Sequence, residues 1–246
     1  TKENFNPMPV GFTHVKYDDL EAVKKATNDR TAAVMLEPVQ GEGGVNIPSP
    51  GYLNAVRRWC DENGLLLIFD EVQTGMGRLG TLFGYQSFDV EPDVMTLAKG
   101  LGGGVPIGAF LAKEHAAVLV PGEHGSTFGG NVLACAAANA SARYIVENDI
   151  SGQTLRMGEY LSRALAALRE THDSISDIRG MGLLFAIEFS SDISGNVVSA
   201  CNGLGLLLNP VKPNAVRIMP PLTVSKTEID QAINLLSQGI AEAEDL

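Results

Sequence analysis

The sequence predicts an α/β protein with a mainly parallel sheet interleaved with helices, followed by a smaller α+β unit. Three observations predict it. Short apolar runs stop abruptly at polar residues, Leu65–Phe69 at Asp70-Glu71 and Val94–Ala98 at Lys99, as strands buried on both faces do. Helical spacing alternates with those runs up to Asp149. Beyond Asp149 the pattern changes to long amphipathic helices around short strands, which divides the chain into residues 1–149 and residues 150–246.

Each element has a local reason. Leu20, Val23 and Ala26 share one helical face within residues 18–28. Ala32–Leu36 reads as a strand ending at Glu37-Pro38. Ser49-Pro50 suits a helix start with Leu53, Val56 and Cys60 on one face, and Gly64 suits its end. Leu65–Phe69, Val94–Ala98 and Ile107–Ala112 follow as strands, and Asn131–Val146 as a helix of small residues. Residues 153–170 form an amphipathic helix with Met157, Leu161, Ala164, Leu165 and Leu168 as its stripe. Ile175–Arg179 and Leu183–Phe189 are strands around Gly180 and Gly182, and Ala215–Met219 is a short strand before Pro220-Pro221. Ser225-Lys226-Thr227-Glu228 matches a capping box ahead of Ile229, Ile233, Leu236 and Ile240. No internal repeat or low-complexity segment interrupts this order.

Composition removes several functions. A chain of 246 residues with net charge −11 is a poor nucleic-acid surface. No apolar stretch approaches the roughly 20 residues needed to cross a bilayer. Cys60, Cys135 and Cys201 are scattered, without CxxC spacing, as in a reducing compartment such as the cytoplasm. The start, Thr1-Lys2-Glu3-Asn4-Phe5, reads as neither a signal peptide nor an initiation site, so a longer protein is expected. His14, His115, His124 and His172 lack metal-ligand spacing, so no metal site is expected.

Two groups carry the chemistry. Lys99 ends one apolar run and is followed by Gly100-Leu101-Gly102-Gly103-Gly104, which permits close backbone approach; Asp70 ends another run. Reactive groups of α/β proteins collect at the carboxyl ends of such strands. A lysine there forms a Schiff base with an aldehyde cofactor, and an aspartate there holds a pyridinium proton. The pair points to pyridoxal 5'-phosphate (PLP). A carboxylate at the ring nitrogen favours the protonated ring, and each pKa unit is worth about 1.4 kcal/mol. Gln73 could then meet the ring's phenolic oxygen. Singly, each has a plainer reading: a surface lysine, a turn aspartate, a solvated amide. Gly41-Glu42-Gly43-Gly44 suits an anion or an ordinary turn. Ser126 and Thr127, in the loop before a predicted helix, suit a phosphate or a bare helix cap. No GxxxxGK motif supports a P-loop.

As a set, these segments resemble one family. Glu37-Pro38-Val39-Gln40-Gly41-Glu42-Gly43-Gly44, Phe69-Asp70-Glu71-Val72-Gln73-Thr74-Gly75-Met76-Gly77-Arg78 and Leu97-Ala98-Lys99-Gly100 resemble successive motifs of the class III, fold-type I PLP aminotransferases. His124–Asn131 and Val216-Arg217-Ile218-Met219-Pro220-Pro221-Leu222 continue the series in the family's order. The likeness covers nearly the whole chain. It implies the fold-type I architecture, a seven-stranded-type sheet of a large domain, partial here, plus a C-terminal small domain.

What the resemblance implies can be placed on this sequence. Lys99 would be the Schiff-base lysine and move the proton at the substrate carbon. Asp70 would pair with the ring nitrogen, Val72 pack on the ring face and Gln73 contact the phenolic oxygen. Ser126 and Thr127 would reach the cofactor phosphate of a neighbouring subunit, which makes a homodimer part of the site. Arg217 would bind a substrate carboxylate, Glu42 would occupy Arg217 while the other substrate binds, and Glu37 would line the same pocket.

The implied reaction is a ping-pong transamination between N-acetylornithine and 2-oxoglutarate, in arginine biosynthesis. Within the family the likeness is greatest to the acetylornithine branch, with the ornithine branch next. Other ω-amino donors (ornithine, succinylornithine, 4-aminobutyrate), a related aminomutase, and a fragment inactive without an N-terminal segment stay open as alternatives. The chain departs from the family pattern twice. Val132 follows Gly-Gly-Asn where the family commonly has Pro, implying a small change in loop rigidity. Family members are also longer, so roughly their first third, with a phosphate-binding glycine loop and an aromatic against the ring, is expected to precede this chain.

Overall fold

Asp19 begins the first helix, α1 (Leu20–Ala26), by accepting the Ala22 N–H at 2.9 Å on its side chain. The structure, a computed structural model, describes residues 6–245. Residues 1–5, which carry the reading about the chain's start, lie outside the described residues.

The predicted apolar runs form one sheet. β1 (Ala33–Leu36), β2 (Leu66–Asp70), β3 (Val94–Leu97) and β4 (Ala109–Ala112) lie side by side in that order. β1 and β3 both run parallel to β2, whereas β4 is antiparallel to β3. The sheet is thus mixed but mainly parallel, with four strands among the described residues. The β2–β3 register sets Asp70 beside Thr96, so the next few residues of β3 bring Lys99 to the same end of the sheet.

α2 (Tyr52–Asn63) covers this sheet, with Leu53, Val56 and Cys60 packed on Leu67 and Phe69. It starts two residues after Pro50 because Gly51 is the N-cap, at φ 84°, a left-handed conformation that glycine adopts without cost. Its end is the expected one: Gly64, also left-handed, donates to Asp61 and Cys60 carbonyls. α3 (Val132–Glu147) is capped by the Asn131 side chain.

The second sheet is built from β5 (Ile175–Met181), β6 (Leu184–Phe189), β7 (Asn209–Lys212) and β8 (Ala215–Ile218), antiparallel in the order β5-β6-β8-β7. α4 (Ile150–Arg169), α5 (Ser194–Gly203) and α6 (Lys226–Glu244) supply Leu161, Leu165, Val197, Cys201, Leu236 and Ile240 to its core, against Phe185, Ile187, Phe189 and Val216. Each fully buried aliphatic or aromatic side chain contributes roughly 1.5–3 kcal/mol. The Ser225–Glu228 capping box is formed. α4 begins three residues before the predicted start, because Asp149 turns left-handed (φ 47°) and accepts the Gly152 N–H.

Two elements were not expected. α5 is a run of Ser, Gly, Asn and small residues whose periodicity is too weak to announce a helix. β7 contains Pro210, tolerated because β7 is an edge strand.

The two sheets share an apolar seam in which Val39, Val45 and Leu79 pack on Leu184 and Ala186. Polar clamps reinforce it. Arg78 donates to the carbonyls of Leu183 (3.0 Å) and Pro220 (2.7 Å), and Arg179 donates to the Gly44 carbonyl at 2.8 Å. Among the described residues, no helix is long and apolar enough to cross a membrane.

Candidate active site

The site gathers where β2 and β3 end and the second sheet reaches over them. Asp70 is the last residue of β2 and half-buried. Its Oδ1 accepts from the Val72 N–H at 3.0 Å and from the Thr96 hydroxyl at 3.3 Å. Both bonds hold the carboxylate in one orientation at the sheet edge. Lys99 follows β3 in a left-handed conformation, φ 45°, at the start of a 3₁₀ turn over Lys99–Gly102, and is exposed. A non-glycine residue in this region is uncommon and strained, which often marks functional positions.

Behind Asp70, Glu71 is fully buried and organises the next loop. Its carboxylate accepts the N–H groups of Gly84 and Tyr85 and the Thr74 hydroxyl. Burial pushes this carboxyl up, against the lowering effect of those donors. The loop so fixed presents Val72, half-buried, and Gln73, buried.

Glu37 stands just past β1, and its carboxylate accepts the Gly41 N–H at 2.8 Å. Burial raises its pKa and the Asp70 charge adds to that, whereas the Gly41 N–H and the Lys99 charge oppose. The acid is therefore placed among the groups that define the site.

From the other sheet, Arg217 on β8 enters with its guanidinium almost covered. Nη1 donates to Glu42 Oε2 at 2.7 Å and to Gln73 Oε1 at 2.9 Å, and Nη2 to Asn209 Oδ1 at 3.3 Å. Nε is buried without a hydrogen-bond partner among the described residues. The Arg217 hydrogen bond and charge hold the Glu42 carboxyl below the usual range, with the Gln73 amide and Lys99 adding to the effect. The turn carrying Glu42 is pinned by Arg179, which donates to the carbonyls of Gly44 and Val45 and pairs with Asp177 and Glu188.

The structure thus brings Glu42, Gln73 and Arg217 into direct contact, and the charges of Asp70 and Lys99 act on their neighbours Glu37 and Glu42. Ser126 and Thr127 make no hydrogen bond with this cluster among the described residues. They are exposed on the loop before α3, where Ser126 Oγ accepts the Gly129 N–H at 2.9 Å. Three contributors escaped the sequence reading: Asn209, Arg78 and Arg179. Arg78 lay inside a motif without a role assigned, and its function as a clamp depends on carbonyls more than 100 residues away. Asn209 directly after an apolar run was the available signal, and only pairing with Arg217 across β7–β8 gives it meaning.

These residues fit a pyridoxal cofactor. Oδ1 takes both hydrogen bonds that the Asp70 side chain makes among the described residues, which leaves Oδ2 for a protonated ring nitrogen. The Lys99 amine makes neither an ion pair nor a hydrogen bond among the described residues, so it is available to an aldehyde.

Comparisons with known proteins show the family. A model of the family described as Aminotransferase class-III matches residues 1–240. An acetylornithine aminotransferase of Caldanaerobacter subterraneus is 46% identical over 240 residues, 98% of this chain and 61% of the relative. The chain therefore spans about three fifths of the length of the curated relatives it matches. Among solved structures, the Toxoplasma gondii ornithine aminotransferase, described with partial occupancy of PLP at its active site, superposes with TM-score 0.91 at 38% identity, covering 98% of this chain and 58% of that one. The acetylornithine aminotransferase of Elizabethkingia anophelis gives TM-score 0.88 at 35% identity, covering 94% and 60%.

Proposed function

This chain belongs to the class III aminotransferases, and on that premise we propose that it forms part of a PLP-dependent enzyme transferring an amino group between N-acetylornithine and 2-oxoglutarate. The observation that carries the reading is the convergence of three groups. Asp70 ends β2, Lys99 lies two residues past the adjacent parallel β3, and Arg217, from the second sheet, pairs with Glu42, on which the Lys99 charge also acts.

When bound, PLP would supply an aldehyde that takes up the donor's amino group and a ring that spreads the negative charge left on the substrate carbon. This chain's residues would do the rest. Lys99 holds the attachment point and moves the proton at the substrate carbon. Asp70, oriented by Thr96 and Val72, keeps the ring nitrogen's proton in place. Val72 would pack on the ring face, and Gln73 would contact its phenolic oxygen. Ser126 and Thr127 would hold the cofactor phosphate of a partner subunit, so we propose a cytoplasmic homodimer.

Two substrates must use one pocket in turn. Arg217 binds a carboxylate of one, and Glu42 occupies Arg217 when the other is present, with Glu37 lining the same space. Residues 1–149 would be the second part of the large domain and residues 150–246 the small domain. Arginine biosynthesis is the pathway that this donor implies. Ornithine is the second reading, favoured by the superposition on ornithine aminotransferases.

The test is the visible spectrum with PLP before and after borohydride, followed by the mass of the Lys99 peptide, on the chain in its full-length context. A reduced pyridoxyl group on Lys99 is expected. Its absence would overturn the assignment. Initial rates with N-acetylornithine, ornithine, succinylornithine and 4-aminobutyrate then identify the donor.

A further inference from the structure

The Gln73 amide is held at both ends. Oε1 accepts from Arg217 Nη1 at 2.9 Å, and Nε2 reaches Glu42 Oε2 at 3.5 Å. Its space is reserved by Gly41. A Cβ built on Gly41 would lie 2.5 Å from Gln73 Cδ and Oε1 and 2.9 Å from Nε2. Gly41 is not among the residues with positive φ, so its backbone would accept alanine. The three atoms nearest that Cβ all belong to the Gln73 amide, which would have to move to admit a side chain there.

We propose that Gln73, kept in place by Gly41, is a positioning residue that holds the Arg217–Glu42 pair closed and so sets the preference between the two substrates. The inference rests on Arg217 being the substrate-carboxylate site. Arg217 uses one nitrogen, Nη1, for both Glu42 and Gln73, so the amide aims that nitrogen at Glu42. The other end of the amide approaches the same carboxylate. Both ends are satisfied together only while the pair is closed, and a buried amide that loses a partner carries a desolvation cost. An incoming dicarboxylate must displace Glu42 against this amide as well as against the ion pair. A substrate that needs Arg217 masked meets no such opposition.

The experiment uses the full-length holoenzyme with Gln73→Ala, Gly41→Ala and the double variant. The binding probe is glutarate, a dicarboxylate without the 2-oxo group. Single-turnover kcat/KM is measured in each half-reaction. Glutarate is expected to bind about tenfold more tightly in either single variant, with the ratio of the half-reactions moving toward 2-oxoglutarate. The double variant should match Gln73→Ala, because Gly41 acts only through the amide. Gln73→Ala introduces no clash, so it carries the test even if Gly41→Ala folds poorly. Loss of the phenolic-oxygen contact alone would alter both half-reactions alike and leave glutarate affinity unchanged. That result, or weaker glutarate binding, overturns the inference. A wild-type enzyme with no transaminase activity would instead overturn the proposed function.

Discussion

Arg217 and Glu42, 175 positions apart, meet at 2.7 Å between Nη1 and Oε2, and their surroundings are unequal. The Arg217 side chain is 11% exposed and that of Glu42 is 68% exposed. The cation is fixed by Gln73 and Asn209, whereas the carboxylate has solvent beside it into which it can move once its bonds to Arg217 and Gln73 are broken. An exposed partner on a buried cation suits a pair that must open.

Glu42→Ala should therefore alter discrimination between the half-reactions, by about tenfold in their kcat/KM ratio, without comparable loss in both. Single-turnover rates for each half-reaction check it. Because Arg217 depresses the Glu42 pKa, the pair should persist through the ordinary carboxylate range and open only as pH falls below it. Equal losses in both half-reactions would remove the switch.

Lys99→Ala should abolish the borohydride-fixed adduct and lower transamination by about 1,000-fold or more, since both attachment and proton transfer depend on one amine. Mass spectrometry of the reduced protein and steady-state rates measure the two effects. A retained adduct at full stoichiometry would place the reactive lysine elsewhere.

Asp93 supports the strand that carries Asp70. Its Oδ2 accepts from Arg57 at 2.8 Å and from the Leu67 N–H at 2.7 Å, and Oδ1 faces His115 at 3.1 Å. Burial pushes its carboxyl up, but the Leu67 N–H, Arg57 and His115 outweigh burial and leave the pKa lowered. The stabilisation is thus full above the ordinary carboxylate range and is lost as pH falls through the lowered folded value. Asp93→Ala should cost about 2 kcal/mol in urea denaturation at neutral pH, by leaving the buried Leu67 N–H unpaired and Arg57 with Asp61 as its remaining carboxylate, and should flatten the acid decline.

Gly158 on α4 packs against the β5–β6 turn, where an added Cβ would sit 2.2 Å from the Gly182 carbonyl oxygen. Gly182 is itself left-handed (φ 56°) and abuts the Arg78 carbonyl. Both obstacles are backbone and cannot rotate away. Gly158→Ala should therefore destabilise by about 3 kcal/mol, whereas Gly195→Ala, with open space around it, should leave the melting temperature nearly unchanged. Similar melting of the two variants would show that α4 can shift without cost.

Much of the architecture was legible because its causes are local. Apolar runs ending at Asp70 and Lys99, the Gly64 helix end and the Ser225–Glu228 capping box each depend on neighbours within a few residues, so the amino-acid order alone determined them. Capping geometry moved the starts of α2 and α4, since Gly51 and Asp149 turn left-handed where the pattern predicts otherwise. The antiparallel course of β4, the edge strand β7 and helix α5 depend on surfaces that exist only once the sheets have formed. The same holds for the site. Motifs singled out Glu42, Gln73 and Arg217 individually, but nothing local shows one amide gripping both ends of an ion pair, Asn209 beside Arg217, or the space that Gly41 leaves empty. The Gln73–Arg217 bond closes a loop of 144 residues and needs the second sheet seated on the first, and the contacts around it take their meaning from that packing, which tertiary structure alone decides.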